Sequence, residues 1–402
     1  MMISDLQHPL LLDNRIQHYA WGAKGAGAFI PRLLGIHPEP DVPYAELWIG
    51  THPKAPSTVV DGERRIPLPE LLAADPDRIL GPQVARAFAG QLPFLFKVLS
   101  ADVPLSIQAH PNREQARELH ARDPQNYPDD NHKPEIAIAL DGLSLLAGFK
   151  PADELAALPA QYPELAGLLP AGTAPREICA RLIAAMDDGS LAKSISALAA
   201  RLGATAPAAV PILGTFPGGE GNKNEIETIF TSLAADYPND IGMVLMLCLN
   251  HLRLAPGQAI FLGPGIPHAY LKGDIIECMS ASDNVVRAGL TPKFIDTAAL
   301  LEVLDFEARP FLIDAQPGDQ AYETHAREFR VRRVELNAGE NKRMNGGQLR
   351  VLLALEGAAH LRWPGGEMDL QKGQSVLLPA CMEGIQLEAS GQTQIYLAET
   401  AE

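Results

Sequence analysis

The chain is predicted to be mainly β with a helical insertion, and three observations carry this expectation. Short apolar runs separated by Gly and Pro turns recur after residue 253, among them LAPGQAIFLG, EFRVRRVEL, LRVLLALEG and EMDLQKGQSVLLPA. Such runs suit a sandwich or jelly roll. Between 151 and 250 the texture changes to Ala- and Leu-rich segments with apolar residues at helical spacing. The length, 402 residues with 47% hydrophobic content, supplies core for two or three domains. The division this predicts is a discontinuous domain of residues 1–150 plus 251–320, a helical insertion at 151–250, and a C-terminal β domain at 321–402.

Taken in order, residues 1–60 read as strands and loops, with HYAWGAKGAGAF and AELWIGTHPKAPSTVV. Trp21 and Trp48 suit core or wall positions. GAKGAG is followed by no GK[ST] and no clear helix, which argues against a phosphate loop. LPELLAADPDRIL and VARAFAG are helical in pattern, and PFLFKVLS reads as a buried strand. In PLSIQAH, strand alternation turns Ser106, Gln108 and His110 to one face and Leu105 and Ile107 to the other. HPNREQARELHARD is predicted to be a helix capped by Asn112. The polar loop YPDDNHKPE then delivers His132, Lys133 and Glu135; in KPEIAIAL, Lys133, Glu135 and Ala137 share a face opposite Ile136 and Ile138. In the middle block, Ile178, Leu182 and Met186 form a helical stripe, as do Leu191, Ile195, Leu198 and Leu202. GTFPGGEGNKN reads as an exposed turn, and Asn222 and Glu225 have capping-box spacing.

Composition narrows the function. A formal net charge of −16 argues against nucleic acid and anionic membranes as partners. No apolar run is long enough to span a bilayer, and the N-terminus lacks the pattern of a signal peptide. Cys179, Cys248, Cys278 and Cys381 lie far apart without metal or redox spacing, which fits a cytoplasmic location. No heptad is visible, so a monomer is expected. The chemistry-bearing residues concentrate in PLSIQAH, NHKPE and PGIPHAYL. An amide oxygen from Gln108, a carboxylate from Glu135 and imidazoles from His110 and His268 form a ligand set suited to zinc or a similar divalent ion.

Gly257, Gly265 and His268 match the spacing of the second cupin motif, in which a glycine turn precedes a metal-binding histidine. Gly373 and Pro379 repeat that spacing, but Cys381 and Gly384 replace the glycine and the histidine, so the C-terminal module resembles a degenerate cupin without metal ligands. Longer blocks are more specific. QHYAWG, AELWIGTHPKAPS, PFLFKVLSADVPLSIQAHPN, NHKPEIAIAL, GPGIPHAYLKG and SDNVVRAGLTPKFID, spanning residues 17 to about 296, closely resemble the type I phosphomannose isomerases. CMSASDN departs slightly from the family pattern.

The resemblance implies a cupin catalytic domain, one zinc per chain on Gln108, His110, Glu135 and His268, and interconversion of mannose 6-phosphate and fructose 6-phosphate. It places Arg287 in the active site and Lys133, His132, Asp283, Glu277 and Lys293 along the pocket. Glu277, Lys133 and His132 are the candidates for the base that moves a proton between C1 and C2, with Asp283 a candidate for ring opening. Arg287 would meet the enediolate or the phosphate, supported by Lys293; Ser106 and Trp21 complete the expected substrate contacts. Two alternatives keep the same residues. An iron cupin dioxygenase would lose activity without oxygen, and a non-catalytic sugar-phosphate binding module would bind without exchanging the C2 proton.

Overall fold

The computed structural model describes residues 6–205, 219–220 and 223–401. Its centre is a pair of long antiparallel strands, Glu135–Phe149 and His268–Ser280, flanked on one side by Leu249–Leu254 and on the other by Phe94–Ala101, Glu46–Ile49 and Arg15–Gln17. Ala259–Leu262 also pairs with Glu135–Phe149, while the short strand Ile107–Ala109 bridges His268–Ser280 and Val286–Gly289. In the central register Ala137 lies opposite Glu277, which lies opposite Lys97, which lies opposite Trp48. Period-2 alternation then sorts the two faces. Ile136, Ile138, Ile276, Cys278, Phe96 and Val98 pack into one core together with Leu10, Leu12 and Tyr396. Ala137, Ala139, Ile275 and Leu99 belong to a second core behind the opposite face. All eight residues of Phe94–Ala101 are buried, as in a strand covered on both sides.

The C-terminal strands build a second jelly-roll body. Arg330–Leu336, Thr393–Glu399, Arg350–Glu356 and Ser375–Leu378 form the middle of an eight-stranded sheet, and Asn341–Met344, Ile385–Ala389, Ala358–Trp363 and Gly366–Gln371 form a four-stranded one. Val334, Leu352, Leu361, Leu387 and Leu397 fill the space between them. The larger sheet continues into Leu10–Asp13, Thr58–Asp61 and Arg64–Pro67, with Leu10 opposite Leu377. The N-terminal strand is therefore hydrogen-bonded into the sheet of the C-terminal body.

The helical block comprises Ala152–Gln161, Pro175–Asp188, Ser190–Thr205, Lys223–Leu233 and Ile241–Cys248. Ile178, Leu182, Leu191, Ile195, Leu198 and Leu202 are buried at the expected spacing, whereas Met186 is only partly buried. Ile241–Cys248 is buried all round, so the sequence offers no amphipathic period there. This block covers the outer face of the bridging strands: Ile107, Ala109, Val286 and Ala288 pack into its core, which turns Gln108 and Arg287 the other way. Leu105 departs from the expected packing face and lies against the opposite core, because the strand begins only at Ile107.

Asn112 caps the helix Arg113–Arg122 with a full capping box to Gln115. A short helix, Phe29–Leu34, does follow GAKGAG, contrary to the sequence reading. Asn222 lies outside the described residues. Glu225 is buried, with its carboxylate against Ser144 Oγ (2.9 Å), His251 and Arg253. All four cysteines are free, and Cys278 is fully buried as a small core residue.

Candidate active site

Gln108 occupies the middle of a three-residue strand, opposite His268 on one neighbour and Arg287 on the other. His110 follows directly, and its carbonyl accepts the Gly265 N–H at 2.8 Å. Gly265 holds φ 75°, and a Cβ there would meet Asp305 Cβ and N at 2.8 Å. The turn before His268 therefore requires glycine, and it ties the two histidine segments together.

Three side chains converge from these strands. His268 Nε2 lies 2.9 Å from Glu135 Oε1, and His110 Nε2 lies 3.3 Å from Glu135 Oε2. The ligand-type atoms of His110, Glu135 and His268 all fall within 4.8 Å of one another. Each imidazole has its other nitrogen on a backbone carbonyl: His110 Nδ1 at 2.8 Å from Asn284 O, and His268 Nδ1 at 2.9 Å from Ile266 O. Nδ1–H donation fixes the tautomer and leaves both Nε2 lone pairs pointing inward. Gln108 Nε2 lies 3.5 Å from His268 Nε2, and a half-turn of the amide presents its oxygen to the same point.

The site fits a divalent cation on its own geometry. His110 Nε2 and Glu135 Oε2 are buried polar atoms without a hydrogen-bond partner among the described residues, a costly arrangement unless an ion satisfies them. Burial, with the nearby Lys133 charge, lowers the His110 pKa to about 4, so the ring is neutral and ready to ligate. Burial alone would raise Glu135; Lys133 and His110 outweigh it and hold the carboxyl well below its ordinary range.

A second charged row lies beside the first. Lys97 Nζ is 3.0 Å from Glu277 Oε2 and 3.6 Å from Glu46 Oε2, and it sits over the Trp48 ring. Trp48 Nε1 donates to Glu46. Tyr270 OH reaches Glu277 at 3.1 Å and Glu135 at 3.4 Å, joining the two rows. Burial would lower Lys97, but Glu277 and Glu46 reverse this and raise it. Burial raises Glu277, Lys97 opposes that, and Glu135 and Glu46 add to it, so its carboxyl stands above the ordinary range.

The remaining sequence candidates divide. Lys133 Nζ is 3.4 Å from Glu135 Oε2 and belongs to the cluster. Arg287 flanks Gln108, half-buried and without a side-chain partner among the described residues. Ser106 and Trp21 are half-buried, and Trp21 stacks on Tyr19. Asp283 is held by His52 (2.9 Å) and Lys54 (3.1 Å), chiefly the His52 hydrogen bond depressing its pKa. His132 is not brought into the cluster: its Nε2 lies 2.8 Å from Glu328 and 3.0 Å from Arg113. Lys293 is exposed on the loop after Val286–Gly289. The sequence reading missed Lys97, Glu46 and Tyr270. The available signal was Lys97 itself, the only charge within PFLFKVLS. It also missed Asp129, which accepts from Ser282 Oγ, Asp283 N and Asn284 Nδ2 and so fixes the loop carrying the His110 partner.

A jelly-roll sheet with two buried histidines and a buried carboxylate clustered beside a half-buried amide defines a metal-binding cupin enzyme. A family model described as phosphomannose isomerase type I, catalytic domain, matches residues 10–152. Mannose-6-phosphate isomerase of Homo sapiens is 37% identical over 407 residues, covering 94% of each chain. A solved arginine-to-alanine mutant of phosphomannose isomerase from Salmonella typhimurium superposes with TM-score 0.83 at 28% identity, covering 98% of this chain and 100% of that one. A mannose 6-phosphate isomerase bound with zinc and yttrium superposes with TM-score 0.82 at 29% identity, over 98% of this chain and 100% of that one. The chain belongs to the type I phosphomannose isomerase family.

Proposed function

We propose that the protein is a zinc-dependent aldose–ketose isomerase that interconverts D-mannose 6-phosphate and D-fructose 6-phosphate by enediol proton transfer. The observation that carries this is the buried cluster of His110, Glu135 and His268, in which His110 Nε2 and Glu135 Oε2 make no hydrogen bond among the described residues, with Gln108 beside it and Lys133 ion-paired to Glu135. These four ligand residues would hold one zinc. Zinc, when bound, polarises the sugar oxygens at C1 and C2 and offsets the negative charge that develops there.

The chain's own residues supply the rest. Glu277 is our assignment for the base, because burial and the neighbouring carboxylates raise its pKa above the ordinary carboxyl value and so make it a stronger base. Tyr270 and Lys97 grip its two oxygens and set its direction. Lys133, anchored on Glu135, and Arg287 supply the cations that an enediolate and a phosphate dianion need in an acidic protein. Asp283, kept ionised by His52 and Lys54, is the candidate for opening the sugar ring. Ser106, Trp21 and Lys293 remain proposed substrate contacts; His132, engaged by Glu328, is assigned a positioning role at the pocket's edge.

We assign catalysis to residues 1–150 plus 251–320, with the helical insertion at 151–250 and the β domain at 321–402 as supporting parts. We place the protein in the cytoplasm, acting as a monomer; four free thiols suit that compartment. No helix among the described residues is long and apolar enough to cross a membrane.

The test is fructose 6-phosphate formation from mannose 6-phosphate by native, chelator-stripped and zinc-restored protein, with solvent deuterium incorporation at the transferred position. The expected result is turnover lost on stripping, regained with zinc, and accompanied by solvent exchange. Turnover that survives complete metal removal refutes the zinc role, and binding without exchange in the zinc-loaded protein refutes the isomerase.

A further inference from the structure

The C-terminal jelly roll ends in a cluster of cations that the catalytic reading does not use. On Arg330–Leu336, alternation places Arg330 and Arg332 on the same face as Val334 and Leu336, which line the interior of that body. Arg332 lies opposite Leu397, which also pairs with Leu352, so the apolar core reaches this row. One row further out, Arg330 and Arg350 both lie opposite Glu399. Lys342, on the same face of Asn341–Met344 as the buried Met344, and the neighbouring exposed Arg343 complete the lining of a cavity of about 330 Å³. That is within the range of small-molecule sites.

The charge in this cavity is unbalanced. Five cationic residues line it with one lining carboxylate, Glu399, while Glu323 and Asp319 meet two of the cations from outside the lining. Glu399 is taken by Arg350 at 2.9 Å and approached by Arg330 at 4.0 Å; Arg330 also meets Glu323, and Lys342 meets Asp319. Arg332 and Arg343 have no side-chain partner among the described residues. In a chain of net charge −16, acidic groups to neutralise them are plentiful, yet none is placed there. Like charges held together repel unless an anion sits between them, and a guanidinium fork matches the oxygens of a phosphate group. The acidic remainder of the chain disfavours a long polyanion such as nucleic acid.

We infer that this barrel mouth binds a small phosphate-bearing anion, contacted by Arg332 and Arg343 and framed by Arg330, Arg350 and Lys342. It shares no residue with the metal cluster. The body that lost its metal ligands thus keeps a binding site at its mouth.

The experiment titrates inorganic phosphate into the full, zinc-loaded chain at low ionic strength by calorimetry. It is repeated with Arg332→Ser/Arg343→Ser and, separately, with Arg287→Ser. Native protein is expected to show two phosphate-binding events, one weakened by Arg287→Ser at the catalytic site and a second that survives Arg287→Ser and weakens at least tenfold in the double variant, with mannose 6-phosphate turnover unchanged in the double variant. Retained turnover shows that the double variant is folded; if turnover falls, Arg343→Ser alone, an exposed position, is used instead and must weaken binding. A second event of unaltered affinity in the Arg332→Ser/Arg343→Ser or Arg343→Ser variant, or loss of all phosphate binding in Arg287→Ser, overturns the inference.

Discussion

Lys97→Met tests the charge balance of the second row. The substitution keeps side-chain length and removes the ammonium, leaving Glu277 and Glu46 facing each other without their shared cation. Their side chains are 5% and 9% exposed, so solvent screening offers little relief. Removing one partner of a buried ion pair costs about 3–5 kcal/mol at neutral pH, and loss of the cation–π contact with Trp48 adds about 0.5–1 kcal/mol. The penalty is a fair share of a typical domain's stability of about 5–15 kcal/mol.

The loss must also depend on pH. Without Lys97, the folded-state pKa of Glu277 moves further above its unfolded value. A carboxyl raised in this way contributes stability below its unfolded pKa, and that contribution is lost as pH rises through the folded value. Denaturant unfolding of native and variant protein should therefore show a much larger gap at pH 8 than at pH 5. The acid limb of the pH–rate profile should move to higher pH in the variant if Glu277 is the base. A variant as stable as the native chain at both pH values would refute the description of this row as a charge-balanced buried cluster.

Two further outcomes follow from the metal cluster. Zinc at about 1,000 times its dissociation constant should stabilise the native chain by about 4 kcal/mol, so chelation should lower the melting temperature of native protein and leave that of Glu135→Gln nearly unmoved; equal shifts in both would place the metal elsewhere. Gly265→Ala must put a Cβ 2.8 Å from the Asp305 backbone while holding φ 75°, which breaks the turn bonded to His110. It should cost more than about 1 kcal/mol of stability and weaken zinc affinity measured by competition with a chromophoric chelator, and an unchanged affinity would detach this turn from the ligand geometry.

The sequence by itself determined what lies within a few residues of each motif. Alternation is local, so KPEIAIAL was enough to turn Lys133 and Glu135 together and away from Ile136 and Ile138. The cap at Asn112 and the stripes through Ile178 and Leu191 are legible for the same reason. Only the tertiary structure decided which strands would meet and in what register. Lys97, Glu277 and Tyr270 become one network because the pairing of two distant strands aligns Lys97 with Glu277, and no periodicity encodes that alignment. His132 belongs to the same loop as Lys133, yet it turns to Glu328, a partner 196 residues away that no local rule could supply. Leu10–Asp13 reads only as an apolar strand; its pairing with Ser375–Leu378 depends on which sheet edge the folded chain leaves open. Side-chain direction is set by neighbouring backbone, whereas partnership is set by register between distant segments.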